Sequence, residues 1–69
     1  MYIHKEYLMF VHGDHPHSGE LCYPVGEDPD TITQQKLWGK ITYLMQSKES
    51  GTQFYAEKEH LQLLDKGVR

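Results

Sequence analysis

The sequence predicts a small all-β domain, and three observations carry that reading. Its apolar residues fall in short runs between turn-forming clusters, not in the long stripes of period 3.6 that a helical bundle requires. Those runs are rich in aromatic and β-branched residues, which suit a pleated, half-buried surface. One segment, Lys40 to Gln46, alternates cleanly, with Ile41, Tyr43 and Met45 on one face and Thr42, Leu44 and Gln46 on the other.

Taken in order, the first run is Tyr7-Leu8-Met9-Phe10-Val11, closed by Gly13. Alternation puts Tyr7, Met9 and Val11 on one face. A polar loop from His12 to Gly19 follows. The second run, Glu20 to Val25, contains Pro24, which lacks an N–H, so this strand is expected at an edge or with a bulge there. The acidic turn Gly26-Glu27-Asp28-Pro29-Asp30 comes next. Thr31 to Leu37 has a poor apolar stripe and reads as a loop with at most one helical turn.

The strand Lys40 to Gln46 then turns through Ser47-Lys48-Glu49-Ser50-Gly51 into a return strand, Thr52 to Ala56. Gly51 supplies the positive φ that such a hairpin needs. Glu57 to His60 reads as a single 3₁₀-like turn, and Leu61 to Leu64 as a short closing strand. This makes five strands in one domain over residues 1–69, with a core from about residue 7 to 64 and a frayed polar tail from Asp65 to Arg69.

This order resembles the SH3-like small β-barrel, and the likeness covers roughly Tyr7 to Leu64. Trp38 stands before the third strand, Gly51 lies in the tight turn and Phe54 in the fourth strand. The ending Tyr55-Ala56-Glu57-Lys58-Glu59-His60-Leu61-Gln62-Leu63-Leu64 resembles the strand, 3₁₀ turn and closing strand of these barrels. The chain looks more like small bacterial and prophage-type SH3-like proteins, many of unassigned activity, than like peptide-binding SH3 domains. Peptide-binding SH3 domains carry Ala-Leu-Tyr-Asp-Tyr near the first strand and a proline before the 3₁₀ turn. Here those places hold Glu6-Tyr7-Leu8-Met9-Phe10 and Ala56-Glu57, which argues against recognition of PxxP ligands. SH3-like barrels serve peptide, protein and nucleic-acid docking alike, so the likeness implies a fold more than an activity.

Composition narrows the functional classes. With 69 residues, the chain buries only about 60% of the surface that its unfolded form exposes, which leaves little room for a large active-site cleft. The formal charge of −3 disfavours nucleic-acid binding through bulk phosphate neutralisation. Five histidines would move that charge toward +2 if all were protonated near pH 5, and all are expected at the surface. Cys22 is the single cysteine, so no internal disulfide forms. Without an apolar run of membrane-spanning length or a signal-peptide pattern, the protein is expected to be soluble and cytoplasmic.

These residues offer three kinds of chemistry. His12-x-Asp14-His15-x-His17 offers donors that suit a borderline metal, but Gly13, Pro16 and Gly19 explain the segment equally well as a hydrated turn. No metal or cofactor is therefore expected. Cys22 has the bland reading of a small packing residue, and neither a phosphate-cradling glycine loop nor a nucleophile–base arrangement stands out, so no enzyme activity is expected.

Binding fits best. Amphipathic aromatics beyond what a thin core can hold make good anchors for a partner. The expected contact residues are Trp38, Tyr7, Tyr23 and Tyr55, with His12, Asp14, Glu27 and Asp28 as a polar, acidic rim suited to a basic or neutral peptide. If Trp38 fills the barrel, its loss unfolds the chain; if it docks a partner, the fold survives. A nucleic-acid-associated barrel using Lys36, Lys40, Lys48 and Lys58 is the alternative, and pairing of exposed strand edges would make a homodimer instead of a monomer.

Overall fold

The computed structural model describes residues 1–65. They form an antiparallel all-β structure with strands β1 (Tyr2–Ile3), β2 (Leu8–Val11), β3 (Leu21–Gly26), β4 (Gln34–Leu37), β5 (Lys40–Ser47), β6 (Gln53–Glu57) and β7 (Leu61–Asp65), and a 3₁₀ turn at Lys58–His60. The sheet runs β4-β5-β3-β2-β7, with β1 on β3 and β6 on β5. The expected all-β class and the β5–β6 hairpin are present. The expected count of five strands is not: there are seven, and the sheet does not close on itself. The expected tail lies outside the described residues beyond Asp65.

Two strands change partners along their length, and this bends the sheet. On one edge, β5 pairs with β4 through Lys40 to Tyr43 and with β3 through Met45 to Ser47, while β6 holds the opposite edge. Thr33 fills the handover. Its N–H donates to Val25 O at 2.9 Å, and its carbonyl accepts from Leu44 N at 2.9 Å. Likewise β3 pairs with β2 at Leu21 and Cys22, then with β1 at Val25 and Gly26. Pro24 sits between these two ladders. Its carbonyl accepts from His4 N at 2.8 Å, and its missing N–H falls at the break, so the proline is neither at an edge nor in a bulge but at a change of partner.

Two segments depart from the sequence reading. Thr31 to Leu37 was expected to be a loop, yet Gln34–Leu37 forms β4, hydrogen-bonded to β5 and joined to it by the tight turn at Trp38 and Gly39. Gln34, Gln35 and Lys36 are polar and exposed and only Leu37 is apolar, so backbone pairing holds the strand and no apolar alternation marks it. The N-terminal residues Tyr2 and Ile3, too short to signal a strand, pair with the end of β3. His4 follows, only 2% exposed, so the expectation of five surface histidines fails here. Its Nε2 donates to Thr31 O at 2.6 Å, and Nδ1 faces Glu6 Oε2 at 3.4 Å.

The core is thin, as the length demands. Val11, Cys22, Met45 and Ala56 form a buried cluster against which Met9, Tyr43, Phe54 and Leu61 pack. Met9 and Val11, which alternation places on one face of the first strand, both reach this cluster. Inside the curve of the sheet, Met9, Ile32, Tyr43, Met45, Leu61 and Leu63 line an apolar cleft of about 390 Å³.

Candidate docking site

The loop from His12 to Gly19 is tightly built. Gly19 N donates to Val11 O at 2.7 Å and Val11 N to Glu20 O at 3.0 Å, which closes the loop at its base. Within it, His15 N bonds Gly13 O, Ser18 N bonds His15 O, and Glu20 N bonds His17 O. Gly13 at φ 84° lies so close to the His60 ring that a Cβ would sit 2.9 Å from its Cδ2. His12 N also donates to His60 O at 2.9 Å, which fixes the loop to the 3₁₀ turn.

The histidines of this loop fold over β6. The His17 ring stacks on Phe54 with centroids 4.0 Å apart and planes 11° from parallel, and its Nδ1 pairs with Glu20 Oε2 at 3.0 Å. The His15 ring lies 5.8 Å from that of His17, 5.7 Å from that of His60 and 5.5 Å from Phe54. Both His15 nitrogens are engaged: Nδ1 accepts from His17 N at 3.0 Å, and Nε2 bonds Tyr55 O at 3.1 Å. A ligand that is held at both nitrogens cannot also present a lone pair to a metal. Glu57, Glu59 and His60 do bring donor atoms within 4.8 Å of one another. Glu59 is exposed, however, and Glu57 Oε1 faces Lys40 Nζ at 3.7 Å, so this trio reads as a solvated acidic turn.

Between this loop and the β4–β5 turn lies a depression of about 390 Å³, lined among others by Asp14, His15, Pro16, Trp38, Tyr55 and Glu57. Trp38 dominates its rim. The indole is 93% exposed, and its backbone adopts φ 49°, followed by Gly39 at φ 78°. Two successive positive φ values make the tight hairpin turn whose twist matches the flanking strands. Glycine and asparagine take this conformation readily, whereas a bulky L residue there costs about 1–2 kcal/mol.

No family model, curated protein or solved structure matches this chain.

Of the contact residues expected from sequence, Trp38, Tyr55 and Asp14 meet at the depression. Glu27 and Asp28 do not. They lie in the exposed segment after β3, where Asp28 Oδ1 accepts from Asp30 N at 2.8 Å and from Thr31 Oγ1 at 3.2 Å. Tyr7 is half-buried beside His4, Tyr23 is half-buried on β3 opposite Gln46, and His12 is half-buried where β2 ends. The loop histidines His15 and His17 border the depression, as expected of that loop, whereas Phe54 and His60 also line it and were not expected there; the pairing of β5 with β6 and the fold of the loop bring them together.

Cys22 is fully buried in the core. Burial, with a smaller contribution from the Glu20 carboxylate, pushes its thiol from 9.0 up to about 11. At neutral pH it is therefore a protonated packing residue, not a nucleophile. A thiol reagent at pH 8 is expected to leave the folded protein unmodified and to label one thiol once urea unfolds it. The folded state holds this proton more tightly than the unfolded chain. Its contribution to stability is thus complete below about pH 9 and is lost as pH rises toward 11, a loss that Cys22→Ala should lack in alkaline urea titrations.

Proposed function

We propose that this chain is a non-enzymatic interaction module of SH3-like architecture, acting in the cytoplasm and docking a protein or peptide in the depression beside Trp38. The observation that carries this reading is the indole itself. It is 93% exposed on a turn whose backbone disfavours any large L side chain. A side chain that neither packs nor suits its backbone is retained at a site where strain accompanies function. Large exposed aromatics are also the commonest binding hot spots.

The architecture supports the SH3-like assignment. Strands β7, β2, β3, β5 and β6 follow one another by pairing, and the 3₁₀ turn joins β6 to β7. The long loop, Trp38 of the β4–β5 turn and the 3₁₀ turn converge on one depression. Its side chains carry the charges of Asp14 and Glu57 beside Tyr55 and Trp38, which suits a basic segment with an apolar or planar residue. The free thiol of Cys22 fits a reducing compartment. The nucleic-acid alternative draws no comparable support, because Lys40 already faces Glu57 and, among the described residues, no basic strip borders the aromatic rim.

Trp38→Asn separates docking from folding. Asparagine followed by Gly39 suits this turn, so the variant is expected to gain about 1 kcal/mol in urea denaturation. In the same protein, capture of partners from lysate, read by quantitative mass spectrometry against the wild type, should be lost. A variant that gains stability and still captures the same partners would remove Trp38 from the docking site. A variant that unfolds would assign the indole to the core.

A further inference from the structure

We infer that His15 is a proton-operated catch on the docking loop: the loop closes over β6 only while His15 is neutral, and protonation releases it. The functional meaning of this release rests on the docking reading above, but the catch itself is a property of the free protein.

The hydrogen bonds fix the tautomer. His15 Nδ1 accepts the His17 backbone N–H at 3.0 Å, so that nitrogen must carry a lone pair. The proton of the neutral ring then sits on Nε2, where it donates to Tyr55 O at 3.1 Å. One neutral ring thus closes the turn from His15 to His17 and caps a carbonyl of β6, a strand that among the described residues pairs with β5 alone. A second proton has a single place to go, Nδ1. It would face the His17 N–H, two donors 3.0 Å apart with no acceptor between them. The turn must then open for the imidazolium to persist.

The surroundings make His15 the responsive member of the cluster. His17 can take a proton without moving, because its Nδ1 already faces the Glu20 carboxylate at 3.0 Å and a proton added at Nε2 breaks no bond in the structure. His60 Nδ1 is buried without a hydrogen-bond partner, so a proton there gains nothing. The other titratable groups around His15 are Asp14 on its own loop, Tyr55 and Glu57 on β6, and His60 and Glu59 on the 3₁₀ turn, with Lys40 of β5 held against Glu57. A protonated His17 ring, 5.8 Å away, sets like charge against an imidazolium at His15. The same protons neutralise the acidic character of the depression, so loop opening and loss of attraction for a basic segment act in the same direction.

The test uses the free protein first. Histidine-labelled protein is followed by long-range nitrogen–proton NMR from pH 8 to pH 5. At pH 8, His15 is expected as the Nε2–H tautomer, with a slowly exchanging His17 amide. On acidification, that amide should lose its protection together with the His15 titration, while the amides of β5 and β6 stay native. His15→Asn places an acceptor oxygen where Nδ1 stands and cannot titrate. It is expected to keep the His17 amide protected throughout, whereas His15→Ala should leave it exposed at every pH. An Nδ1–H tautomer at pH 8, or a His17 amide indifferent to the His15 titration, would overturn the inference. Fluorescence anisotropy with a labelled peptide alternating lysine and leucine then reads the docking consequence, a loss of about tenfold or more between pH 7.5 and 5.5 that His15→Asn blunts. Absence of binding at both pH values, with the NMR transition intact, would count against the docking reading and leave the catch standing.

Discussion

Gly26→Ala is expected to destabilise the protein by about 3 kcal/mol or more. Gly26 ends β3, pairs with Tyr2 and is buried beneath the segment that leads to β4. An added Cβ would lie 1.7 Å from the Thr31 carbonyl oxygen, a backbone atom that cannot swing aside, and 3.1 Å from His4 Nε2. That carbonyl is the acceptor for buried His4, at 2.6 Å. Relieving the clash therefore moves the backbone near Thr31 and leaves a buried imidazole without its partner. Overpacking costs about 1–3 kcal/mol, and an unsatisfied buried donor about as much again. A chain of this length is stable by only about 3–10 kcal/mol. Urea denaturation should show a fall of about 3 kcal/mol or more, and NMR should show β1 detached from β3. Gly51→Ala is the matched control. Gly51 sits at φ 76° with open space around it, so alanine there pays only the backbone penalty, about 1–2 kcal/mol. Equal effects at the two glycines would refute the steric account of Gly26.

The second large effect is expected at Met45. Its side chain is fully buried and is the largest to be so among the described residues. It touches strands from both halves of the bent sheet, being clustered with Val11, Cys22 and Ala56 and paired with Pro24 on one side and Phe54 on the other. Met45→Ala removes buried methylenes and leaves a cavity that so few neighbours cannot refill, a cost of about 2–5 kcal/mol. Met45→Leu nearly conserves volume and should cost less than about 1.5 kcal/mol. The apolar cleft that Met45 shares with Tyr43 and Leu61 would widen in the alanine variant, so increased binding of a hydrophobic dye to the still-folded fraction is expected alongside the lower melting temperature. A Met45→Ala protein as stable as wild type would mean that the core lies elsewhere.

Neither residue declares its importance in the sequence. Gly26 reads as one glycine of an acidic turn, and Met45 as one of three methionines. The hairpin of β5 and β6 was legible because its alternation and Gly51 are local signals, and so was the 3₁₀ turn before the last strand. The strand β4 was not, because Gln34, Gln35 and Lys36 present no apolar face and are held by main-chain bonds to β5. The histidine loop was legible as a loop. That His15 uses both nitrogens within the protein, and so offers none to a metal, was not.

Local chemistry alone thus determined the all-β class, the position of the tight turn between β5 and β6 and the presence of more aromatic surface than a thin core can hold. Period-2 alternation and glycine φ preferences act within a few residues, so the order of amino acids is sufficient to reveal them. Which aromatics are buried, and which polar groups meet, depended on contacts between distant segments. The partner changes along β3 and β5 bury Cys22 and Met45, close the loop over Phe54 and leave Trp38 at the rim. Tertiary structure decided these because each rests on pairing across tens of residues, where hydrogen-bond register and excluded volume, not local propensity, select the neighbour.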